Sequence, residues 1–339
     1  MNEQAIKLTA KDFTTDQEVR WCPGCGDYAI LKCMQRTLPD MGATPENTVF
    51  VSGIGCSSRF PYYMETFGFH TIHGRAPAVA TGVKLANPDL DVWVVTGDGD
   101  GLSIGGNHLL HAIRRNVDLN ILLFNNEIYG LTKGQYSPTS GRGTKSPSSP
   151  HGSVEAAVIP CAFALGSGAR FVARTIDTAQ KHMPEIFKAA KENKGASFVE
   201  IYQNCIVYND AVFADFTEKK VAKERQIMAR HGEPLIFGAE GDKGIRLNPK
   251  TLEMEIVTVG VGGIVLDNIL VHDETNKVLA QMLVSLDSAI FPVVLGIIYK
   301  DPAPSFEEEV SRQRTEIRSQ RQKGDLMKLM KKGGTWDVK

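Results

Sequence analysis

Five short runs rich in β-branched and apolar residues recur along the first two thirds of the chain: NTVFVSGIG, DVWVVTGDG, LNILLFNN, ARFVAR and ASFVEIYQN. Most close on Gly, Asp or Asn, the residues that end strands and begin turns. Helix-compatible stretches lie between them, namely DYAILKCMQRTL, GGNHLLHAIRRN, the segment around VEAAVIPCAFAL, and TAQKHMPEIFKAAKE. Strands alternating with helices predict an α/β fold, a parallel sheet with crossover helices on both faces. This domain spans residues 1–210, with the alternation itself running from about 20 to 205.

Beyond Cys205 the pattern changes, and residues 211–339 read as a C-terminal extension for subunit contacts. A polar helical stretch around TEKKVAKERQIMARHG leads into a hairpin, EPLIFGAEGDKGIRLNPKTLEMEIVTVG. The final PSFEEEVSRQRTEIRSQRQKGDLMKLMKK is charged and helix-prone with few apolar anchors, as expected of a solvated arm or a subunit contact. Within the first domain, GRGTKSPSSPHG is rich in Ser, Pro and Gly and reads as a mobile loop or a segment ordered by a partner.

With 339 residues, 42% of them hydrophobic, the chain can bury a large core. A formal net charge of −1 argues against a general nucleic-acid binder, which needs excess Lys and Arg to replace phosphate counterions. The N-terminal MNEQAIKLTAKDF lacks the basic and apolar regions of a secretory leader. No apolar run approaches the roughly 18–20 residues of a membrane span, so a cytoplasmic protein is expected. Six cysteines in that compartment suggest metal or cluster ligation rather than disulfides.

Candidate chemistry gathers at the ends of the predicted strands, where open α/β sheets bind ligands. Gly97-Asp98-Gly99-Asp100-Gly101 follows WVVT, and Asn125-Asn126 follows NILLF. A diphosphate carried with Mg²⁺ needs hard oxygen ligands, so Asp98 and Asn126, delivered from adjacent strand ends, form a suitable half-shell. Gly97 and Gly99 let the main chain approach the diphosphate, and the following helix start offers free N–H groups. A lone Gly-Asp-Gly is also ordinary turn chemistry; the double Asn at the next strand end makes the pair specific.

Cys22-Pro-Gly-Cys25 precedes the first helix, Cys56 follows the first strand and Cys205 the last of the five. Four thiolates converging there would complete either a [4Fe-4S] cluster or a tetrahedral zinc site. A zinc ribbon usually brings two close Cys pairs and this chain has one, which favours the cluster. Cys33 and Cys161 lie within apolar helices and are expected to be small buried hydrophobes.

The Gly-Asp-Gly and double-Asn pattern is similar to the thiamine-diphosphate signature. Together with WCPGCGDYAI, GIGCSSRFPYY, HTIHGRAPAVATGVKLANP and NNEIYGLTKGQYSPT, it makes residues 17–210 resemble the β subunit of 2-oxoacid:ferredoxin oxidoreductases. DNILVHDETN and FPVVLGIIY resemble that family's C-terminal portion. The resemblance implies a thiamine-diphosphate-binding fold, with Mg²⁺ held by Asp98, Asn126 and the main-chain oxygen of Ile128. It also implies a [4Fe-4S] cluster on Cys22, Cys25, Cys56 and Cys205, and a cofactor lined by Ile54, Gly55, Cys56, Ser57, His73 and Asp100. His73 on its own would read as a structural histidine.

In YGLTKGQ, Lys133 stands near the expected substrate entrance, where an ammonium would pair with a distal carboxylate or with CoA phosphates. Without the resemblance, Lys133 is a solvated loop lysine. The implied reaction is reversible, CoA-dependent oxidative decarboxylation of 2-oxoglutarate with ferredoxin as electron carrier, running backwards as CO2 fixation. Pyruvate or mixed specificity is an alternative, as is a non-oxidative thiamine-dependent decarboxylase or a zinc-stabilised scaffold. An α subunit with the pyrimidine-binding domain and its activating Glu is the expected partner, in an αβ or (αβ)2 assembly.

Overall fold

The computed structural model describes residues 7–321 and 324–338. The first six residues, part of the stretch expected to carry no leader, and residues 322–323 and 339 of the charged arm lie outside it. In chain order, α1 (Asp27–Asp40), β1 (Thr48–Ser52), β2 (Phe67–His70), α2 (Ala76–Ala86), β3 (Asp91–Gly97), α3 (Asp98–Leu102) and α4 (Gly106–Arg114) come first. They are followed by β4 (Asn120–Asn125), β5 (Ile128–Tyr129), β6 (Gln135–Tyr136), α5 (Pro160–Gly166), β7 (Phe171–Ile176), α6 (His182–Glu192) and β8 (Ser197–Tyr202).

The C-terminal part holds α7 (Ala214–Thr217), α8 (Ala222–Arg225), β9 (Gln226–Ala229), β10 (Ile236–Phe237), β11 (Lys243–Leu247) and β12 (Met254–Thr258). After these come α9 (Lys277–Val284), β13 (Val293–Lys300), α10 (Phe306–Gln320) and α11 (Leu326–Met330). All five runs expected as strands are strands.

The main sheet has eight strands in the order β2-β1-β3-β4-β8-β7-β13-β9. Every pairing is parallel except β7–β13. Strand residues alternate between two cores, as the period of two requires. Val49, Val51, Val92, Val94, Ile121 and Leu123 pack with α2, α4, α5 and α9 on one face. On the other, Phe50, Trp93, Val95, Leu122 and Phe124 meet α1 and α6. The sheet therefore has helices on both faces, and its central strands are buried along their whole length.

Two segments depart from the sequence pattern. TEKKVAKERQIMARHG is not one helix: α7 and α8 are four residues each, and Gln226–Ala229 joins the sheet beside β13. Ile227 and Ala229 are buried while Met228 is exposed, so sheet pairing and a period-two burial pattern override the helical propensity of the polar residues around them. The helix expected around VEAAVIPCAFAL starts only at Pro160, because proline fits the first turn and disfavours helix in the residue before it. The chain after residue 210 thus supplies two strands of the main sheet as well as the antiparallel β10-β11-β12 unit and a terminal helix. Among the described residues no helix is long and apolar enough to cross a membrane.

Candidate active site

Strands β1, β3, β4 and β8 are consecutive and parallel in the sheet, so their carboxyl ends lie side by side. Cys56, Asp98, Asn126 and Cys205, which follow those four strands, are thereby brought to one edge of the molecule. Ile54, Gly55, Cys56, Ser57, His73, Gly97, Asp98, Gly99, Asp100, Asn126 and Ile128 all line a single cavity there, together with Tyr129.

Asp98 opens α3 and is 2% exposed. Its Oδ2 accepts the hydroxyls of Ser137 at 2.5 Å and Thr139 at 2.6 Å, so Oδ1 has no side-chain donor. Burial pushes the carboxyl up to about 6 against those two bonds. A Cβ on Gly99 would fall 2.2 Å from the Tyr129 ring, whose hydroxyl donates to the Gly99 carbonyl at 3.0 Å. Glycine is required there by that close approach.

Across the cavity, Asn126 Nδ2 donates to Gln203 Oε1 at 2.8 Å, and its Oδ1 accepts the Ile128 N–H at 3.2 Å. Between them Glu127 has a φ of 54°, uncommon for a residue with a side chain. Burial, then the negative charge of Asp98, Glu200 and Asp215, pushes the Glu127 carboxyl up to about 8. This excess of buried carboxylate is the setting in which a divalent cation is stabilising. One carboxylate, one amide oxygen and nearby main chain form a donor set that fits Mg²⁺.

Asp100 lines the cavity, but its oxygens are occupied by the protein. Oδ1 accepts from Ile54 N at 3.0 Å, Gly74 N at 2.7 Å and His73 Nδ1 at 2.6 Å, and Oδ2 from Thr96 Oγ1 at 2.6 Å. With Nδ1 held against that carboxylate, His73 has Nε2 left as its second ring nitrogen. Asp100 therefore orients His73 and the Ile54 turn. Lys133 is exposed on the β5–β6 turn and lines neither this cavity nor its neighbour, although Leu131 and Thr132 beside it do line this one.

A second cavity is lined by Cys22, Cys25, Cys56 and Cys205 and shares Cys56, Asn126, Gly130 and Leu131 with the first. A Cβ on Gly130 would sit 3.5 Å from both Cys56 Sγ and Cys205 Sγ, so the glycine borders both sulfurs. Burial, followed by the charge of Asp27, raises the Cys25 and Cys56 thiols, Cys56 to about 12. Thiols lining one cavity, two of them costly to ionise on their own, fit a group that brings its own positive charge. Among the described residues no three His, Cys, Asp or Glu side chains close on one metal ion. Cys33 and Cys161 are fully buried in the two cores.

Several residues here escaped the sequence reading. Gln203 joins the two cavities, holding Asn126 on one side and donating to Cys25 Sγ at 3.4 Å on the other. Its position two residues before Cys205 was the available signal. Ser137 and Thr139 carried none, since their role arises from contacts across 39 and 41 residues of chain, whereas Asn125 was visible as half of the double Asn without its partner Thr139.

Residues 53–201 match the family described as thiamine pyrophosphate enzyme, C-terminal TPP binding domain. The 2-oxoglutarate oxidoreductase subunit KorB of Mycobacterium tuberculosis is 49% identical over 97% of this chain and 88% of its own. The β subunit of 2-oxoacid:ferredoxin oxidoreductase 1 of Aeropyrum pernix is 49% identical over 62% of this chain and 66% of its own. A solved 2-oxoglutarate:ferredoxin oxidoreductase from Magnetococcus marinus, with 2-oxoglutarate, coenzyme A and succinyl-CoA bound, superposes with a TM-score of 0.77 at 30% identity, covering 98% of both chains. Sequence and fold agree, and the chain belongs to the β-subunit family of the 2-oxoacid:ferredoxin oxidoreductases, with a thiamine-pyrophosphate-binding domain.

Proposed function

We propose that this chain is the β subunit of a CoA-dependent 2-oxoglutarate:ferredoxin oxidoreductase, converting the 2-oxoacid to its acyl-CoA and CO2 and able to run in reverse. The observation that carries the reading is the shared wall: eleven residues expected around one cofactor line one cavity, and four cysteines line the next. Bound thiamine diphosphate would supply the carbanion chemistry by which a 2-oxoacid is decarboxylated. The chain's own part is to bind it, orient it and keep water away.

Asp98, Asn126 and the Ile128 carbonyl would hold Mg²⁺ against the diphosphate, with Gly97 and Gly99 bordering it. Ile54, Gly55 and Ser57 would line it, and His73, fixed by Asp100, would present its Nε2 to the reacting end. Cys22, Cys25, Cys56 and Cys205 would hold a [4Fe-4S] cluster that serves ferredoxin. Lys133, on the rim, would pair with the distal carboxylate of 2-oxoglutarate or with CoA phosphates. An α subunit would complete the site with the carboxylate at the cofactor's aminopyrimidine, and we place the assembly in the cytoplasm.

The test is an anaerobic visible spectrum with iron, sulfide and zinc analysis on the chain co-produced with its α subunit. About four irons per chain, the content of one such cluster, and bleaching by 2-oxoglutarate plus CoA are expected. Zinc without iron would indicate a structural site. Thiamine diphosphate with no bleaching by any 2-oxoacid would indicate a non-oxidative decarboxylase.

A further inference from the structure

The two asparagines at the end of β4 are not equivalent. Asn126 lines the cofactor cavity, whereas Asn125 is turned away from it and is 2% exposed. Its Nδ2 donates to Glu200 Oε1 at 2.8 Å. That contact fixes the amide, because a carboxylate accepts and cannot face the Asn125 oxygen. Asn125 Oδ1 is thereby aimed at the turn, where it accepts the Glu127 N–H at 3.3 Å and lies 3.0 Å from the Thr139 hydroxyl.

Both halves of the cation site depend on those contacts. The single Thr139 proton is shared between Asp98 Oδ2 at 2.6 Å and Asn125 Oδ1 at 3.0 Å, so the hydroxyl bridges the two, and the Glu127 N–H belongs to the turn with positive φ that carries Asn126 and Ile128. Glu200 is fully buried and would be a poor anchor if it could rotate. Arg174, 5% exposed, donates from Nε to Glu200 Oε2 at 2.8 Å, and Cys161 Sγ donates to the same oxygen at 3.1 Å. One buried chain of contacts therefore runs from Arg174 through Glu200 and Asn125 to Asp98 on one branch and to the Asn126–Ile128 turn on the other.

We propose that Asn125, anchored by Glu200 and Arg174, is a positioning residue that sets the spacing between Asp98 and the Asn126–Ile128 turn and so determines cation affinity. The inference rests on the reading of that half-site as the Mg²⁺ and diphosphate site.

The experiment measures Mn²⁺ binding by electron paramagnetic resonance in the complex with the α subunit and thiamine diphosphate. Asn125→Ala is expected to raise the Mn²⁺ Kd about 10- to 100-fold, the usual effect of removing a group that orients metal ligands. Thr139→Val should weaken binding in the same sense and Thr139→Ser should restore it, which a role in folding alone would not produce. An Asn125→Ala complex whose folded fraction binds Mn²⁺ with the wild-type Kd overturns the proposal, whatever its melting temperature. Should that variant not fold, the Thr139 pair decides: equal Kd values for Val and Ser overturn it. A wild-type complex that takes up thiamine diphosphate without Mn²⁺ or Mg²⁺ defeats the half-site reading itself, and the positioning role with it.

Discussion

Asp98 and Asp100 stand two residues apart at the end of β3, yet their surroundings give them different work. Asp100 is saturated by donors and serves as an orienting group, whereas Asp98 takes its side-chain donors on one oxygen only. Gly130 shows the same dependence on surroundings, for any side chain there would start in contact with both Cys56 Sγ and Cys205 Sγ. Gly130→Val is expected to abolish most of the iron content while thiamine diphosphate is retained, measured by iron and thiochrome assays on the same preparation. Unchanged iron would refute the four-cysteine site. At Lys133, replacement by Ala should lower kcat/KM for 2-oxoglutarate by about tenfold or more, the scale of one lost charged hydrogen bond, and that for pyruvate much less. Equal losses would exclude selective carboxylate pairing.

Among the elements, the helices differ in how they are fixed. Helix α10 has a mostly exposed, charged surface, as its sequence implies, but its start is held firmly. Ser305 accepts the Glu308 N–H at 3.4 Å and Glu308 returns the bond to the Ser305 N–H at 3.0 Å, while Phe306 N donates to the Asn116 carbonyl at 3.1 Å. Buried Glu307 lies against the Asp118 N–H. The first turn is thus docked on the loop before β4. Ser305→Ala should cost about 1 kcal/mol, the usual value of an N-cap, in urea unfolding of the complex, with Mn²⁺ affinity unchanged. The Ser/Pro/Gly-rich segment 141–152 has no regular structure, but its ends are tied by Gly143 N to the Ser153 carbonyl at 2.8 Å and Ser153 N to the Thr144 carbonyl at 2.9 Å. That pairing, between residues about ten apart, left no periodic trace in the sequence.

For the molecule as a whole, stability should depend on pH through imidazoles buried away from the active site. Burial lowers His182 from 6.5 to about 4, with Arg230 adding to the effect and Glu185 opposing it. Its folded pKa lies below the unfolded value, so the unfolded chain binds more protons between those limits. The His182 contribution is therefore present above about pH 6.5 and is lost as pH falls toward 4. His182→Gln should flatten that part of the melting-temperature profile relative to wild type; parallel profiles would refute it. Asp27 and Glu127, pushed up to about 7 and about 8, act in the opposite sense, which is why the difference between the two proteins is the quantity to measure. By itself the sequence determined the five central strands, the helices between them and the residue types at their ends, because period-two and helical burial patterns and strand-end glycines are local. It also carried, in contiguous motifs, the family resemblance that implies residues for thiamine diphosphate and for a cluster. Only the tertiary structure decided which strands are neighbours, that 226–229 and 293–300 complete the sheet, and that Asp100, Gln203 and Asn125 are orienting groups. Those outcomes depend on contacts between residues far apart in the chain, whose geometry exists only once the sheet has formed.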